Sequence, residues 1–233
     1  MKPEVAYSVV PSLLHNDPTH PENNRRITDI IEAVSKAGLT ERLTEVGYQT
    51  PATHEQIAAV HDPTYIDSLQ QMMVKAPTTV DSAPTYITPQ SCECALEAAG
   101  AGIAIVDTLL DDRGKSGFAL LRPPGHHALP NRPMGFCLIG NIAVAARHAQ
   151  QHSVKRILII DFDAHHGNGT QDIFYTDSSV FFLSIHQSGI YPGSGRMNET
   201  GRRKGQGFTL NVPLPADSGD RGMQNIFSAL VRP

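Results

Sequence analysis

The chain has 233 residues, of which 40% are apolar and 18% are charged, a composition that excludes extensive disorder and is sufficient for a sizeable core. The formal net charge of -4 gives no basic surface for gripping the phosphates of a nucleic acid. The apolar runs are far shorter than the roughly 20 residues of a membrane-spanning helix, and the first residues lack the apolar stretch of a secretory signal. We therefore expect a cytoplasmic protein without a membrane anchor.

The first half of the chain carries mainly helical periodicity. Isoleucines recur at helical spacing within residues 21–37, and Gly38 follows where such a helix would stop. Six of the eight residues at 95–102 are alanine or glycine, which predicts a helix packed closely against another element. We predict helices that begin near Pro21, Thr53, Asp62 and Thr88, the second of them with a capping box to Gln56, and a loop over residues 77–89.

In the second half, short apolar runs alternate with helical segments, which is typical of an α/β fold with a parallel sheet. We predict strands at residues 118–121, 157–160, 180–185 and 208–214 and helices at residues 139–150 and 219–231. No linker or repeat divides the sequence, so residues 1–233 are interpreted as a single domain. Parallel sheets bind ligands at the carboxyl ends of their strands, and the residues after each run are the candidates for chemistry.

Asp161, Asp163 and His165 follow the strand at 157–160. In an extended strand, alternate side chains share one face, so the three would project together if the strand continues that far. Two carboxylates and an imidazole on one face are best explained by a cation, and nitrogen with carboxylate oxygen suits zinc or another first-row divalent ion. The alternative is a hydrated cluster at the end of the strand.

A second candidate group follows the strand at 118–121. His126 and His127 are adjacent after Pro-Pro-Gly, and they could be metal ligands or an acid and a base. Other histidines are interpreted as surface or cap residues, namely His54, His148 and His152. The three cysteines are expected to pack as small buried groups.

Together these motifs closely resemble the zinc-dependent histone deacetylase and acetylpolyamine amidohydrolase superfamily, with the bacterial class II-like branch nearest. The resemblance implies a three-layer arginase/deacetylase-like fold with a mostly parallel central sheet. The segments that carry it are His20-Pro-Glu22, Arg122-Pro-Pro-Gly-His-His-Ala128, Gly135-Phe-Cys137, Asn141, Asp161-Phe-Asp-Ala-His-His-Gly-Asn-Gly-Thr170, Ser184-Ile-His186 and Tyr191-Pro-Gly-Ser-Gly195.

The resemblance implies two metal sites. Asp163 and His165 would be two of three zinc ligands, and ferrous iron accepts the same donors. A structural potassium ion would be held by the main-chain oxygens of Asp161, Asp163 and His165, the hydroxyl of Ser184 and the carbonyl of Ile185.

It also implies catalytic and substrate-binding roles. His127 would be the general base and His126 its electrostatic partner, with Asp161 hydrogen-bonding His126 and Asn168 orienting His127. The substrate-binding residues would be Gly135 and Phe136, which line a narrow acyl-lysine tunnel, and Arg26, which lines an internal channel, with Arg25 as an almost equal candidate.

The family's third zinc ligand, an aspartate, and its carbonyl-polarising tyrosine come later than the position at which this sequence ends. We interpret the chain as the first two-thirds of the fold and expect weaker zinc binding and severely reduced or absent activity. An incomplete sheet edge would also favour a partner, such as a second copy of the chain.

The leading hypothesis is a zinc-dependent amide hydrolase that removes acetyl or similar groups from acyl-lysine peptides, acetylated polyamines or similar small amides. Metal-activated water would attack the carbonyl and a histidine would take its proton. The alternative is a non-catalytic scaffold that binds metal or acyl ligands or assembles with another chain. A manganese ureohydrolase of the arginase type is a remote alternative, because the bridging aspartate expected after His165 is missing.

Overall fold

The computed structural model describes residues 5–47, 50–111 and 116–231. The chain divides into two compact units, Met1–Lys155 and Arg156–Pro233. Within the described ranges the strands are β1 (Val5–Val10), β2 (Leu43–Glu45), β3 (Thr78–Thr79), β4 (Tyr86–Ile87), β5 (Ser116–Leu121), β6 (Ile157–Asp161), β7 (Val180–Gln187) and β8 (Thr209–Leu214). The α-helices are α1 (Arg25–Lys36), α2 (His54–Ala58), α3 (Tyr65–Met73), α4 (Ser91–Leu110), α5 (Asn141–Gln151), α6 (Asn168–Phe174) and α7 (Asp220–Ile226).

The main sheet of the first unit has the order β2-β1-β5 with all strands parallel. β1 was not predicted, although alternate residues of this strand are buried, as expected for one face against a helix. Val10 packs with Ala98 and Ala101 of α4 and with Leu121 of β5. Small side chains on α4 allow this close approach, and the predicted tight packing of the helix is confirmed.

Gly100 of α4 lies where the backbone of residues 50–52 crosses the helix. A Cβ atom at this position would collide with the Thr50 carbonyl oxygen, and Ala52 donates its amide N–H to Leu96 O at 2.9 Å. The same helix approaches α5, because a Cβ at Gly102 would contact Ala145. Gly100 and Gly102 therefore determine how closely α4 approaches the segment 50–52 and α5, respectively.

The predicted helices of the first unit are confirmed, with changes at their ends. The capping box of α2 is present, since Gln56 N donates to Thr53 Oγ1 at 3.2 Å and Thr53 N donates to Gln56 Oε1 at 2.8 Å. On α1, Ile27 is buried, whereas Ile30 and Ile31 remain 40% and 38% exposed. The predicted apolar face of α1 is thus only partly covered by the described residues.

The prediction of a loop over residues 77–89 is wrong in part, because β3 and β4 pair antiparallel within it. Asp81 closes the connection by accepting hydrogen bonds from the backbone and hydroxyl of Thr85, both at 2.8 Å. Each strand has two residues, too few for a hydrophobic alternation to be seen in sequence.

The second unit contains the parallel sheet β6-β7-β8. β7 lies in the middle, and most of its residues are buried. The predicted strands and the helix at 219–231 are confirmed, the latter as α7 followed by a π-helical turn, Phe227–Val231. Parallel pairing in both units confirms the α/β class, while the single-domain interpretation stays a prediction.

No helix in the described part of the chain is long and apolar enough to cross a bilayer.

The three cysteine thiols are buried as expected, and burial raises the pKa of Cys92 to about 11. These thiols are Cys92, Cys94 and Cys137.

The interpretation of three histidines as surface or cap residues is correct for two of them. His54 is exposed in the first turn of α2, and His152 is exposed at the C-cap of α5. His148 is instead buried, with 8% of its surface exposed. It lies on the side of α5 that faces α4, where Asp107 supplies a polar partner.

Candidate active site

The loop that follows β5 is anchored by a buried arginine. Arg122 is 1% exposed and forms two hydrogen bonds to the carboxylate of Glu22, from Nε to Oε1 and from Nη2 to Oε2. Burial opposes ionisation of Glu22, but the nearby imidazole of His15, with Nε2 3.6 Å from Oε2, and the hydrogen bonds from Arg122 outweigh it and lower the pKa of Glu22 to about 2. The remaining acceptors of the guanidinium are Pro11 O, Ser12 O, His15 O and Tyr86 Oη.

Gly125 presses this loop against the first turn of α5. Asn141 Nδ2 donates to Pro123 O at 2.9 Å, which ties the loop to the helix. A Cβ atom at Gly125 would lie 2.6 Å from Asn141 N and 2.7 Å from Ile139 O. Only glycine allows this approach, because both neighbours are backbone atoms that cannot rotate away.

We expect Gly125→Ala to lower the free energy of unfolding by about 1–3 kcal/mol, the usual cost of forcing extra atoms into a packed site. Urea denaturation followed by circular dichroism measures it. Gly47→Ala is the matched control, since a Cβ at Gly47 meets nothing within 4 Å. Equal midpoints for the two variants would contradict the inferred backbone contact.

The two candidate catalytic histidines end the loop. His127 is 4% exposed and His126 is half-buried, and their ring centroids lie 3.9 Å apart with a 40° tilt. The backbone on the N-terminal side of the two histidines is anchored, which fixes the backbone positions from which both side chains extend. An imidazole held in this way can exchange a proton with a reactant without a large conformational cost.

Gly135 and Phe136, the predicted tunnel residues, have positive φ angles of 56° and 70°. Their amide N–H groups donate to Asp81 Oδ2 at 3.0 Å and to Thr85 Oγ1 at 2.7 Å, respectively. The ring of His20 meets the Phe136 ring edge-on, with centroids 4.5 Å apart. A left-handed conformation is costly for phenylalanine, so these contacts indicate that the ring is held in a specified position.

Arg26 lies beside the buried ion pair. Its Nη1 is 3.8 Å from Glu22 Oε1, and its side chain is 55% exposed. The structure therefore places Arg26 on the surface of α1, in contact with the carboxylate that anchors Arg122.

In the second unit, the predicted zinc ligands occupy a turn, not a strand. β6 ends at Asp161, so the strand does not continue to His165 and the alternation of strand side chains does not apply to Asp163 and His165. The turn is held by Asp163 N donating to Asp161 Oδ1 at 3.1 Å and His165 N donating to Asp163 Oδ1 at 2.8 Å. It still brings His165 Nδ1 to 3.2 Å from Asp163 Oδ1, with both side chains about half exposed. Gln187 N, at the end of β7, fixes the turn through Ala164 O at 2.9 Å.

Asp161 itself is packed against the start of α6. A Cβ atom at Gly167, the residue before this helix, would collide with the Asp161 carboxylate and lie 3.3 Å from Phe182. Asn168 is the first residue of α6 and is 8% exposed. Helix α6 was not predicted, although it positions both Asp161 and Asn168.

Ser184 and Ile185 lie in the buried strand β7, 0% and 2% exposed, respectively. Ser184 is the register partner of Asp161 on β6, so these two residues are neighbours across the sheet. His186 Nε2 donates to Gly195 O at 3.1 Å, which leaves His186 Nδ1 to accept from Ser184 Oγ at 2.9 Å. Burial lowers the pKa of His186 and favours this neutral form.

Comparison with protein families identifies the family of the chain. The family model for the histone deacetylase domain matches residues 20–233. The chain belongs to the histone deacetylase family. This confirms the resemblance inferred from the motifs.

Individual histone deacetylase relatives agree. The chain is 45% identical to histone deacetylase 10, chloroplastic, of Oryza sativa, over 98% of this chain and 55% of that protein. It is 37% identical to a histone deacetylase-like amidohydrolase of Pseudomonas aeruginosa, over 91% of this chain and 55% of that protein. The chain thus spans about half the length of these curated relatives. Because they include a plant and a bacterial protein, the bacterial branch stays a prediction.

A solved structure confirms the histone deacetylase fold. The crystal structure of the HDA15 HD domain is 33% identical and superposes with a TM-score of 0.90, covering 99% of this chain and 67% of that chain. The predicted deacetylase-like architecture is therefore correct.

Sequence reasoning missed a buried polar network in the second unit of this histone deacetylase fold. His166 is 1% exposed, and it contacts Ser194 Oγ at 2.8 Å and Gln171 Oε1 at 3.1 Å. Burial and the neighbouring His186 lower the pKa of His166 to about 4, so it is neutral at pH 7. Gln171 in turn donates to Glu199 Oε2 at 2.8 Å. The His166–Ser194 and Gln171–Glu199 contacts each span 28 residues of sequence, and no local pattern signals them.

Proposed function

We propose that this chain is a zinc-dependent amide hydrolase that removes acetyl or similar acyl groups from a lysine side chain or an amine of similar shape. The observation that carries the proposal is the Asp163–His165 pair, whose carboxylate and imidazole meet in a fixed turn within a histone deacetylase domain. The relatives' names, which include deacetylase and amidohydrolase, support the reaction class.

The donor set of this turn fits zinc. One imidazole nitrogen and one carboxylate oxygen, 3.2 Å apart and accessible, are donors that zinc and ferrous iron both accept. When bound, the metal supplies a Lewis acid that polarises the amide carbonyl. We assign Asp163 and His165 to this role.

Protons are handled by histidine in this proposal. His127, as a neutral imidazole near pH 7, accepts a proton from the attacking water, and the imidazolium so formed delivers it to the leaving amine. His126 stabilises the charge that develops on its neighbour, with which it is already in ring contact. Asp161 and Asn168 keep the positioning roles that the family resemblance gives them.

A potassium ion is proposed for the oxygen atoms at the end of β6 and at the neighbouring positions Ser184 and Ile185 of β7. The strand register brings Asp161 and Ser184 together, which supports a shared site. Main-chain oxygens of Asp163 and His165 and the carbonyl of Ile185 complete the proposed donors, and oxygen ligands are typical of hard cations.

The substrate is proposed to be an acyl-lysine peptide, an acetylated polyamine or a similar small amide. The half-buried ring of Phe136 offers an apolar wall for an aliphatic stem, and Gly135 would contribute backbone to the same tunnel. A cytoplasmic location and a homo-oligomer are further proposals of this kind.

The test is hydrolysis of acetyl-lysine, trifluoroacetyl-lysine and acetylputrescine substrates by the zinc-loaded chain. We expect Asp163→Asn to abolish turnover and to weaken zinc binding by more than the about 10–100-fold that outer-shell partners contribute. Asp29→Asn, a change of an exposed aspartate on α1, is the matched control. Zinc binding by a folded chain that leaves all three substrates intact would contradict the proposal and favour a non-catalytic scaffold.

A further inference from the structure

A cluster of potential metal ligands lies in the first unit, among residues that the proposed hydrolysis does not use. Asp107, on α4, faces His148 and His152 at the C-terminal end of α5. Each of the three side chains offers one ligand atom, and these atoms lie within 4.8 Å of one another. Spatial clusters of two imidazoles and a carboxylate are a ligand set for divalent transition ions.

The geometry of α5 and α4 produces this cluster. His148 and His152 are four residues apart and therefore share one face of the helix, with ring centroids 4.5 Å apart and a tilt of 49°. His148 Nε2 lies 2.6 Å from Asp107 Oδ1, so the carboxylate of one helix meets the imidazole of the other. His152 Nδ1 contacts His148 O at 3.0 Å, which leaves Nε2 of the exposed ring available to a ligand.

An independent observation indicates that the cluster is incomplete as it stands. His148 is 8% exposed, and its Nδ1 atom is buried without a hydrogen-bond partner. A buried polar atom without a partner is costly, and such atoms are rare in native proteins. The protein itself therefore satisfies only one of the two ring nitrogens of His148, the Nε2 that faces Asp107.

The negative charge around the Asp107, His148 and His152 cluster and its access to solvent also favour binding of a cation. The C-terminal end of a helix carries a partial negative charge from its unpaired carbonyls, and Asp107 adds a full negative charge. The Asp107 side chain is 45% exposed and His152 is exposed, so an ion can reach the cluster from solvent.

We propose that Asp107, His148 and His152 form a second metal site, which binds a divalent first-row ion such as Zn²⁺ and joins α4 to α5. Three protein ligands leave a coordination position for water, and the site is structural in this proposal. It does not depend on the proposed hydrolase activity.

The test is carried out on the full chain with Asp163→Ala and His165→Ala, so that the zinc pair of the proposed active site is removed. Zn²⁺ is the probe, and bound metal is measured by mass spectrometry after dialysis together with the thermal midpoint. We expect about one zinc per chain and a higher midpoint with zinc than with chelator, as for any ligand that binds only the folded state.

His152→Ala and Asp107→Asn, added separately, are expected to abolish both effects. Both positions are partly or fully exposed, so these variants are expected to fold, which circular dichroism checks. His54→Ala removes another exposed histidine and is expected to change neither effect. The proposal is overturned if the starting variant binds no zinc, or if His152→Ala and His54→Ala retain or lose zinc equally.

Discussion

Glu22→Gln is expected to lower the free energy of unfolding by about 3–5 kcal/mol, because it leaves the guanidinium of Arg122 buried without its counter-charge. Both side chains are 1% exposed, and the carboxylate receives two hydrogen bonds from the guanidinium. Urea denaturation monitored by circular dichroism gives the difference. Glu32→Gln removes the exposed ion pair with Lys36 and is expected to cost at most about 0.5 kcal/mol.

The Glu22 carboxylate also predicts that the stability of the folded chain depends on pH. The pKa of Glu22 falls from 4.5 to about 2 on folding, so ionised Glu22 stabilises the native state fully above pH 4.5. This contribution is lost as the pH falls from 4.5 towards 2. The stability of the native chain should therefore decrease more steeply over this window than that of Glu22→Gln. Parallel pH profiles for the two proteins would show that folding does not lower the pKa of this carboxyl.

His127→Ala is expected to lower kcat for acyl-lysine hydrolysis by about 10²–10⁴-fold, the usual contribution of general acid–base catalysis. The change removes the proposed proton acceptor while leaving Asp163 and His165 in place. The measurement is steady-state hydrolysis of a fluorogenic acetyl-lysine peptide by zinc-saturated protein, with bound zinc determined on the same samples.

His54→Ala is the control for this experiment, because it removes an exposed histidine from α2. We expect it to leave kcat unchanged, and we expect both variants to retain zinc. If hydrolysis by His127→Ala equals that of the control, another group takes the proton.

Local signals in the sequence predicted local structure well. The capping box of α2, the small residues of α4 and the apolar run of β7 all depend on neighbours within a few positions, and each is confirmed. β1 and the β3–β4 pair were missed, because the first has serine at a buried position and the second has two residues per strand. Segments of this kind are defined by tertiary pairing more than by their own pattern.

Prediction of the candidate site from sequence is limited in the same way, because local patterns do not contain tertiary contacts. Asp163 and His165 were expected together and are together, but a hydrogen-bonded turn produces this arrangement, since β6 has already ended at Asp161. The Glu22–Arg122 pair could not be predicted from spacing, because its members are 100 residues apart. Contacts of this range are specified by the packed fold, and a one-dimensional pattern does not contain them.

The many acceptors around Arg122 have a consequence for how the protein tolerates change. The guanidinium is bound by oxygens of Pro11, Ser12, His15 and Glu22, all of which lie between β1 and α1, so this segment acts as a template on which the histidine loop is shaped. An insertion in that segment would shift several acceptors at once, and Arg122 would carry the displacement directly into the backbone of His126 and His127. Evolutionary or engineered variation should therefore be restricted there, far along the sequence from the residues whose chemistry it would disturb. Residues such as Leu39, which is 42% exposed after α1, are free of that restriction and can accommodate new sequence.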